Sequence, residues 1–167
     1  ANFGPAGSTV ALVPAGAGIV VMANHDVEVF NNTVSGNQTA AISVISYAIT
    51  GLTIPAGYDP FPKNVYIHDN TLSNNGASPD PDVQLGGLLA LIQATALNHD
   101  PIPDVVWDGI LSPGDTGTNP RGLCVKAPAT FLSLGATFGA SGPEFHPSVD
   151  ATDHRCTQTA LPAVTAW

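Results

Sequence analysis

Positive charge is what this sequence has least of. Its 167 residues hold four Lys and Arg against 13 Asp and Glu, for a formal net charge of −9. The cations are Lys63, Arg121, Lys126 and Arg155. Neutralising phosphates takes clustered Lys and Arg, so the composition argues against nucleic acid and anionic lipid surfaces as partners. Charged residues of either sign make up 10% of the chain, against about 25% in an average domain. No apolar run reaches the roughly 18 residues of a membrane span, so membrane insertion is not expected. Catalytic signatures are missing too: there is no Gly-x-Ser-x-Gly, no phosphate-binding P-loop, and no Gly-x-Gly-x-x-Gly following a strand.

What the chain does have is a near-repeat. His25-Asp26-Val27-Glu28-Val29-Phe30-Asn31-Asn32-Thr33-Val34-Ser35-Gly36-Asn37 returns as Lys63-Asn64-Val65-Tyr66-Ile67-His68-Asp69-Asn70-Thr71-Leu72-Ser73-Asn74-Asn75, an offset of 38 residues from Asn32 to Asn70. Self-similarity at a fixed period predicts a solenoid. The period-2 alternation inside each copy predicts that its elements are strands. With 17 Gly, 15 Pro and 44% hydrophobic residues, the chain suits one domain of short strands joined by turns. An antiparallel sandwich would explain the strand spacing, but not the return of Asn-Thr-apolar-Ser at a fixed offset.

The expected organisation has three parts. Residues 1–17 are a Gly-, Ala- and Pro-rich lead-in segment. Residues 18–135 are β-solenoid coils, interrupted at 48–62 by a loop with three prolines. Residues 136–167 form an irregular C-terminal cap. Within the coils, strands are expected at 19–22, 27–34, 41–47 and 65–72, with Gly87–Ala94 taking the place of 41–47 in the second coil. A degenerate third coil is expected from Asp104. A chain that opens at Ala1 rather than Met fits a processed product or a piece of a longer protein.

Stacked coils place equivalent residues about 4.8 Å apart. Asn32 and Asn70 would then form an asparagine ladder, with their amides bonded to each other and to turn backbone. The only cysteines, Cys124 and Cys156, suggest one disulfide closing a loop of about 30 residues, worth roughly 3–4 kcal/mol; two buried free thiols are the alternative. A disulfide and an acidic surface fit an extracellular or periplasmic protein.

The two copies resemble coils of right-handed parallel β-helix proteins, the pectate-lyase-like superfamily. The segments Val-Val-Trp-Asp-Gly-Ile-Leu (105–111), Leu-Cys-Val-Lys (123–126) and His-Arg-Cys-Thr-Gln-Thr-Ala-Leu-Pro-Ala-Val (154–164) are similar to the C-terminal part of exported bacterial parallel β-helix proteins of unknown function. The resemblance implies an all-β right-handed parallel β-helix with further coils upstream. The superfamily contains lyases, hydrolases, adhesins and scaffolds, so it does not fix a function.

Candidate chemistry is thin. The lyases implied by the resemblance need Arg or Lys on adjacent coils, often with Ca²⁺, and Arg121 and Lys126 stand alone. Asp80 and Asp82 are a candidate Ca²⁺ pair, with further hard oxygens at Asp100, Asp104 and Asp108. No other cofactor is expected. Tyr47, Tyr58 and Tyr66 fall around the 48–62 loop and could stack on sugar rings. His146 to His154 could clip a metal in the tail, without regular ligand spacing. The expected function is an exported, non-enzymatic β-helix scaffold or binding module. Its partner would be another protein chain, upstream coils, or a surface polysaccharide. The alternative is a lyase-like carbohydrate-active enzyme whose active site lies partly outside this chain.

Overall fold

The computed structural model describes residues 5, 8–139 and 142–162. Residues 1–4 and 6–7 of the expected lead-in, and residues 140–141 and 163–167 of the expected cap, lie outside the described residues.

The repeat becomes three strands rather than one long one. In the first unit these are β1 (Ala17–Met22), β2 (His25–Phe30) and β3 (Thr33–Ser35). In the second they are β4 (Ala40–Ile45), β5 (Lys63–His68) and β6 (Thr71–Ser73). The corners between strands fall on left-handed residues that recur in register. Asp26, Asn64 and Gly122 occupy one corner at φ 54°, 51° and 64°, and Asn31 and Asp69 another at 55° and 50°. Asn, Asp and Gly tolerate this conformation best, so the repeat conserves turn chemistry as well as apolar spacing.

Each unit lays its strands beside those of the unit before, all in parallel. β2 pairs with β5 in the register Val27↔Val65, Val29↔Ile67, and β3 with β6 in the register Thr33↔Thr71. A third unit supplies β7 (Val105–Trp107) and β8 (Leu123–Val125), and β9 (Phe131–Ser133) follows. The sheets run β1-β4-β7-β9, β2-β5-β8 and β3-β6.

The all-β, right-handed parallel β-helix is not what forms. Among the described residues the chain builds small parallel and antiparallel sheets with one α-helix, and no closed solenoid is found. Helix α1 (Gln84–Thr95) stands where Gly87–Ala94 was expected as a strand. Leu85, Leu88, Leu89 and Ile92 follow the three-and-four spacing of a helix face, which outweighs the strand-like apolar composition. Gly86 lets this helix close on the 80–82 turn, because a Cβ there would collide with the Asp80 carbonyl. The third unit adds no strand to the β3-β6 sheet. The chain after Gly135 adds an antiparallel pair, β10 (Thr137–Gly139) and β11 (Gly142–Glu144).

Two cores result. Inside the sheets, Ile42, Val44, Val65, Ile67, Val105 and Val125 pack with their neighbours. On the opposite face of the four-stranded sheet, Ile45, Val106 and Leu132 pack under Leu85, Leu89 and Ile92 of α1. With both faces covered, β4 is buried along its whole length, which explains its nearly unbroken apolar sequence.

Candidate interaction site

The two ends of the parallel stack are built differently. At the β8–β9 end the chain closes over its own strands. Ser133 and Ser148 exchange backbone hydrogen bonds of 2.8 and 2.9 Å along the outer edge of β9. Beside β8, the Leu123 amide donates to Asn119 Oδ1 at 3.0 Å. The Leu123 carbonyl accepts from Asn119 and sits 3.1 Å from His154 Nδ1, and Arg155 donates to the carbonyls of Val125 and Ala129. His154 is buried, with its ring 4.9 Å from Trp107 and 4.7 Å from Phe131. Burial depresses its pKa, so it is a neutral plug over the core end. The disulfide Cys124–Cys156 fastens this closing segment to β8.

At the β1–β2–β3 end no described residue does the same. Ala23 donates to Ile45, Asn32 accepts from Thr71, and Lys126 donates to Ile67. From these anchors, the alternation of a parallel ladder turns the backbone groups of Val20, Met22, Glu28, Phe30, Thr33 and Ser35 away from the stack. The core is only partly exposed at this end: Ile19 and Val27 are half-buried, whereas Val21, Val29 and Val34 of the same strands are buried, as are Ile42 and Val65 one unit below.

The asparagines expected to stack lie at this end. The Asn32 backbone amide and Nδ2 both donate to Asn70 Oδ1 at 3.0 Å. Asn70 Nδ2 in turn donates to the carbonyls of Val29 and His68 at 2.8 Å. A second ladder, which the sequence reading passed over, repeats the arrangement five residues on. Asn37 donates through its backbone amide and Nδ2 to Asn75 Oδ1 at 3.0 and 3.1 Å. Its signal was present, since Asn37 and Asn75 align at the same 38-residue offset.

The outer face of the β2-β5-β8 sheet carries a charged and aromatic cluster. His68 holds Glu28 Oε1 through Nε2 and Asp69 Oδ2 through Nδ1, each at 2.8 Å. Both nitrogens can donate only in the imidazolium form. Burial disfavours that form, but the two carboxylates outweigh it and raise the His68 pKa above its ordinary value. The His68 hydrogen bond lowers the Glu28 pKa, helped by the Leu161 amide, which donates to Glu28 Oε2 at 3.0 Å. Lys126 lies 2.8 Å from Asp69 and, with His68, lowers its pKa. Phe30 stacks flat on His68 at 5.4 Å, and Tyr66 stacks on the same ring at 4.2 Å.

The remaining candidates do not converge. Tyr47 and Tyr58 meet edge-to-face at 5.8 Å, with Tyr58 exposed, while Tyr66 is buried under the separate His68 cluster. Asp80 accepts from the amides of Ala15 and Asp82, so its carboxylate shapes the turn, while Asp82 is exposed. Asp104 caps Thr130. Asp108 is fully buried and accepts from the Ser46 amide and hydroxyl at 2.6 and 2.7 Å. Burial lifts its pKa to about 6 against those hydrogen bonds. Among the described residues no group of three or more ligating side chains gathers for a metal. His154 lies in the core, and the 146–154 segment gathers no group of three or more ligating side chains among the described residues. Arg121 sits over the Phe61 ring and contacts Asp115 at 2.6 Å and Asp59 at 3.0 Å, tying the 48–62 loop to the 111–121 segment. A groove of about 420 Å³ beside Leu97, Asp100, Pro103 and Arg155 brings no acid–base pair together.

No described helix is long and apolar enough to cross a membrane. No protein-family profile, curated protein or solved structure matches this chain.

Proposed function

We propose that the chain is an exported, non-enzymatic binding module that docks an extended segment of another polypeptide on the edges of β1, β2 and β3. The observation that carries this reading is the contrast between the two ends of the same in-register ladders. In the β1-β4-β7-β9 and β2-β5-β8 sheets one end is closed by the chain's own tail, and the other leaves outward-facing backbone groups unpaired by the described residues, beside half-buried Ile19 and Val27. Exposed parallel edges are templates for an added strand, with main-chain hydrogen bonds supplying affinity and side-chain pockets supplying selectivity. Export is in keeping with the Cys124–Cys156 disulfide.

The lyase-like alternative needs free cations in a sugar groove. Arg121 is held by two carboxylates, Lys126 by Asp69, and Arg155 by backbone carbonyls. That placement favours structural roles for all three.

The test compares protein isolated from its natural source with the recombinant chain, by light scattering and amide hydrogen exchange. The expected result is a native particle heavier than one chain, with the amides of Val20, Glu28, Phe30 and Thr33 protected only in the native material. Native protein that is monomeric and exchanges these amides at recombinant rates contradicts the reading.

A further inference from the structure

We infer that the open end selects its partner through the two asparagine ladders, and that the docked strand carries asparagines five residues apart. This rests on the docking reading above and specifies the partner's sequence.

The argument is one of unmatched hydrogen-bonding groups. Asn32 uses its backbone amide and Nδ2 on Asn70, and the same Nδ2 also donates to the Phe30 carbonyl at 2.9 Å. Asn37 uses the equivalent groups on Asn75 and the Ser35 carbonyl. Each side chain therefore has its donors engaged within the molecule. Each retains an Oδ1 acceptor to which no described residue donates. One unit lower, the Oδ1 atoms of Asn70 and Asn75 each take two donors, a backbone N–H and an Nδ2. The open end thus presents a pair of acceptors, and the stack itself shows what satisfies such acceptors.

A strand continuing the ladders would bring an asparagine over Asn32 and another over Asn37. Between and before them it would place apolar residues over Val27, Val29 and Val34, which point into the core. The required pattern is apolar-x-apolar-x-x-Asn-x-apolar-x-x-Asn, the pattern of residues 27–37 and 65–75 of this chain. Asn, Asp or Gly suits the positions over Asn31 and Gly36, which are left-handed here. The same chemistry disfavours a second copy docked edge to edge. A two-fold pair would set the two edges antiparallel, which breaks the same-position stacking of asparagine on asparagine that the parallel ladders use.

The test uses a synthetic peptide copying residues 63–75 and a variant carrying Asn70→Ala and Asn75→Ala. Each is titrated into the full chain while the backbone amides of Glu28, Phe30, Thr33 and Ser35 are followed by NMR. Because the substitutions are in the peptide, the fold of the chain is untouched. The expected result is saturable shifts at these amides with the parent peptide. The variant should bind roughly a hundredfold more weakly, about tenfold for each asparagine removed. Equal affinity of the two peptides overturns the ladder code while leaving strand docking standing. No shift at any edge amide with either peptide overturns both. Concentration-dependent dimerisation of the chain alone, with protection of the same amides, also overturns the inference, because a second copy would then fit the acceptor pair.

Discussion

The two ends of this molecule begin from the same ladders and are finished in opposite ways. At the β8–β9 end, backbone from Ser148, a buried imidazole from His154, a guanidinium from Arg155 and a disulfide combine to satisfy strand edges and seal apolar side chains. At the β1–β3 end, strands of the same kind keep outward-facing backbone groups, and Ile19 and Val27 are half-buried although Val21, Val29 and Val34 are buried. Where the chain closes its own edge, it uses irregular segments rich in His, Pro and Asp rather than another repeat. A binding reading belongs to the end where no such segment is described.

The largest expected effect breaks the closed end. Replacing Cys124 and Cys156 together with serine removes a crosslink spanning 32 residues, which should cost roughly 3–4 kcal/mol. Urea unfolding should show it as a lowered midpoint, and exchange should speed up first at Leu123 and Ser133.

Next in size is the interior acid that joins Ser46, after β4, to the turn after β7. Asp108 has a pKa of about 6 in the folded chain, raised by burial from an ordinary 3.8. A raised folded pKa means its stabilising contribution is complete below 3.8 and is lost as pH climbs through about 6. Over that window the loss should approach roughly 3 kcal/mol. In Asp108→Asn this decline should vanish, and a wild-type minus variant difference independent of pH would refute the assignment.

The ladders allow the ends to be compared directly. The Asn70 side chain accepts twice from Asn32 and donates to the Val29 and His68 carbonyls, whereas the Asn32 side chain donates only to Asn70 and the Phe30 carbonyl. Asn70→Leu should destabilise by roughly 2–3 kcal/mol and Asn32→Leu by about 1 kcal/mol. Thermal unfolding of the two variants should rank them in that order, and equal melting temperatures would contradict the larger hydrogen-bonding share of Asn70.

The smallest effect concerns His68. Its contribution should be fully present below pH 6.5, the ordinary histidine value, and should fade as pH rises through the higher folded pKa. His68→Gln should abolish that alkaline loss, leaving the protection factor of the Leu161 amide constant across the range.

Much of the stacking was legible, because the 38-residue offset in the sequence is the offset of the β2–β5 and β3–β6 registers. The asparagines at 32 and 70 face each other for the same reason. Fold class was not legible. Gly87–Ala94 has the apolar content of a buried strand, and a short apolar run cannot be told from a helix until its Leu85-Leu88-Leu89-Ile92 spacing is weighed. The prolines and glycines after Gly135 hid the β10–β11 pair. Asp108 looked like one turn carboxylate among several, since nothing in its neighbours signals that Ser46, 62 residues away, will fold over it. The His68 cluster was missed because it joins residues on separate strands and depends on which side of β5 faces out.

The most direct test of the open-end account is amide hydrogen exchange on the isolated chain, comparing Val20, Glu28, Phe30 and Thr33 with Leu123 and Ser133. The account predicts that the first group exchanges close to the rate of unstructured peptide, and that the second is slowed by orders of magnitude. Comparable protection in both groups would contradict it, because the β1–β3 edges would then be covered within the chain itself.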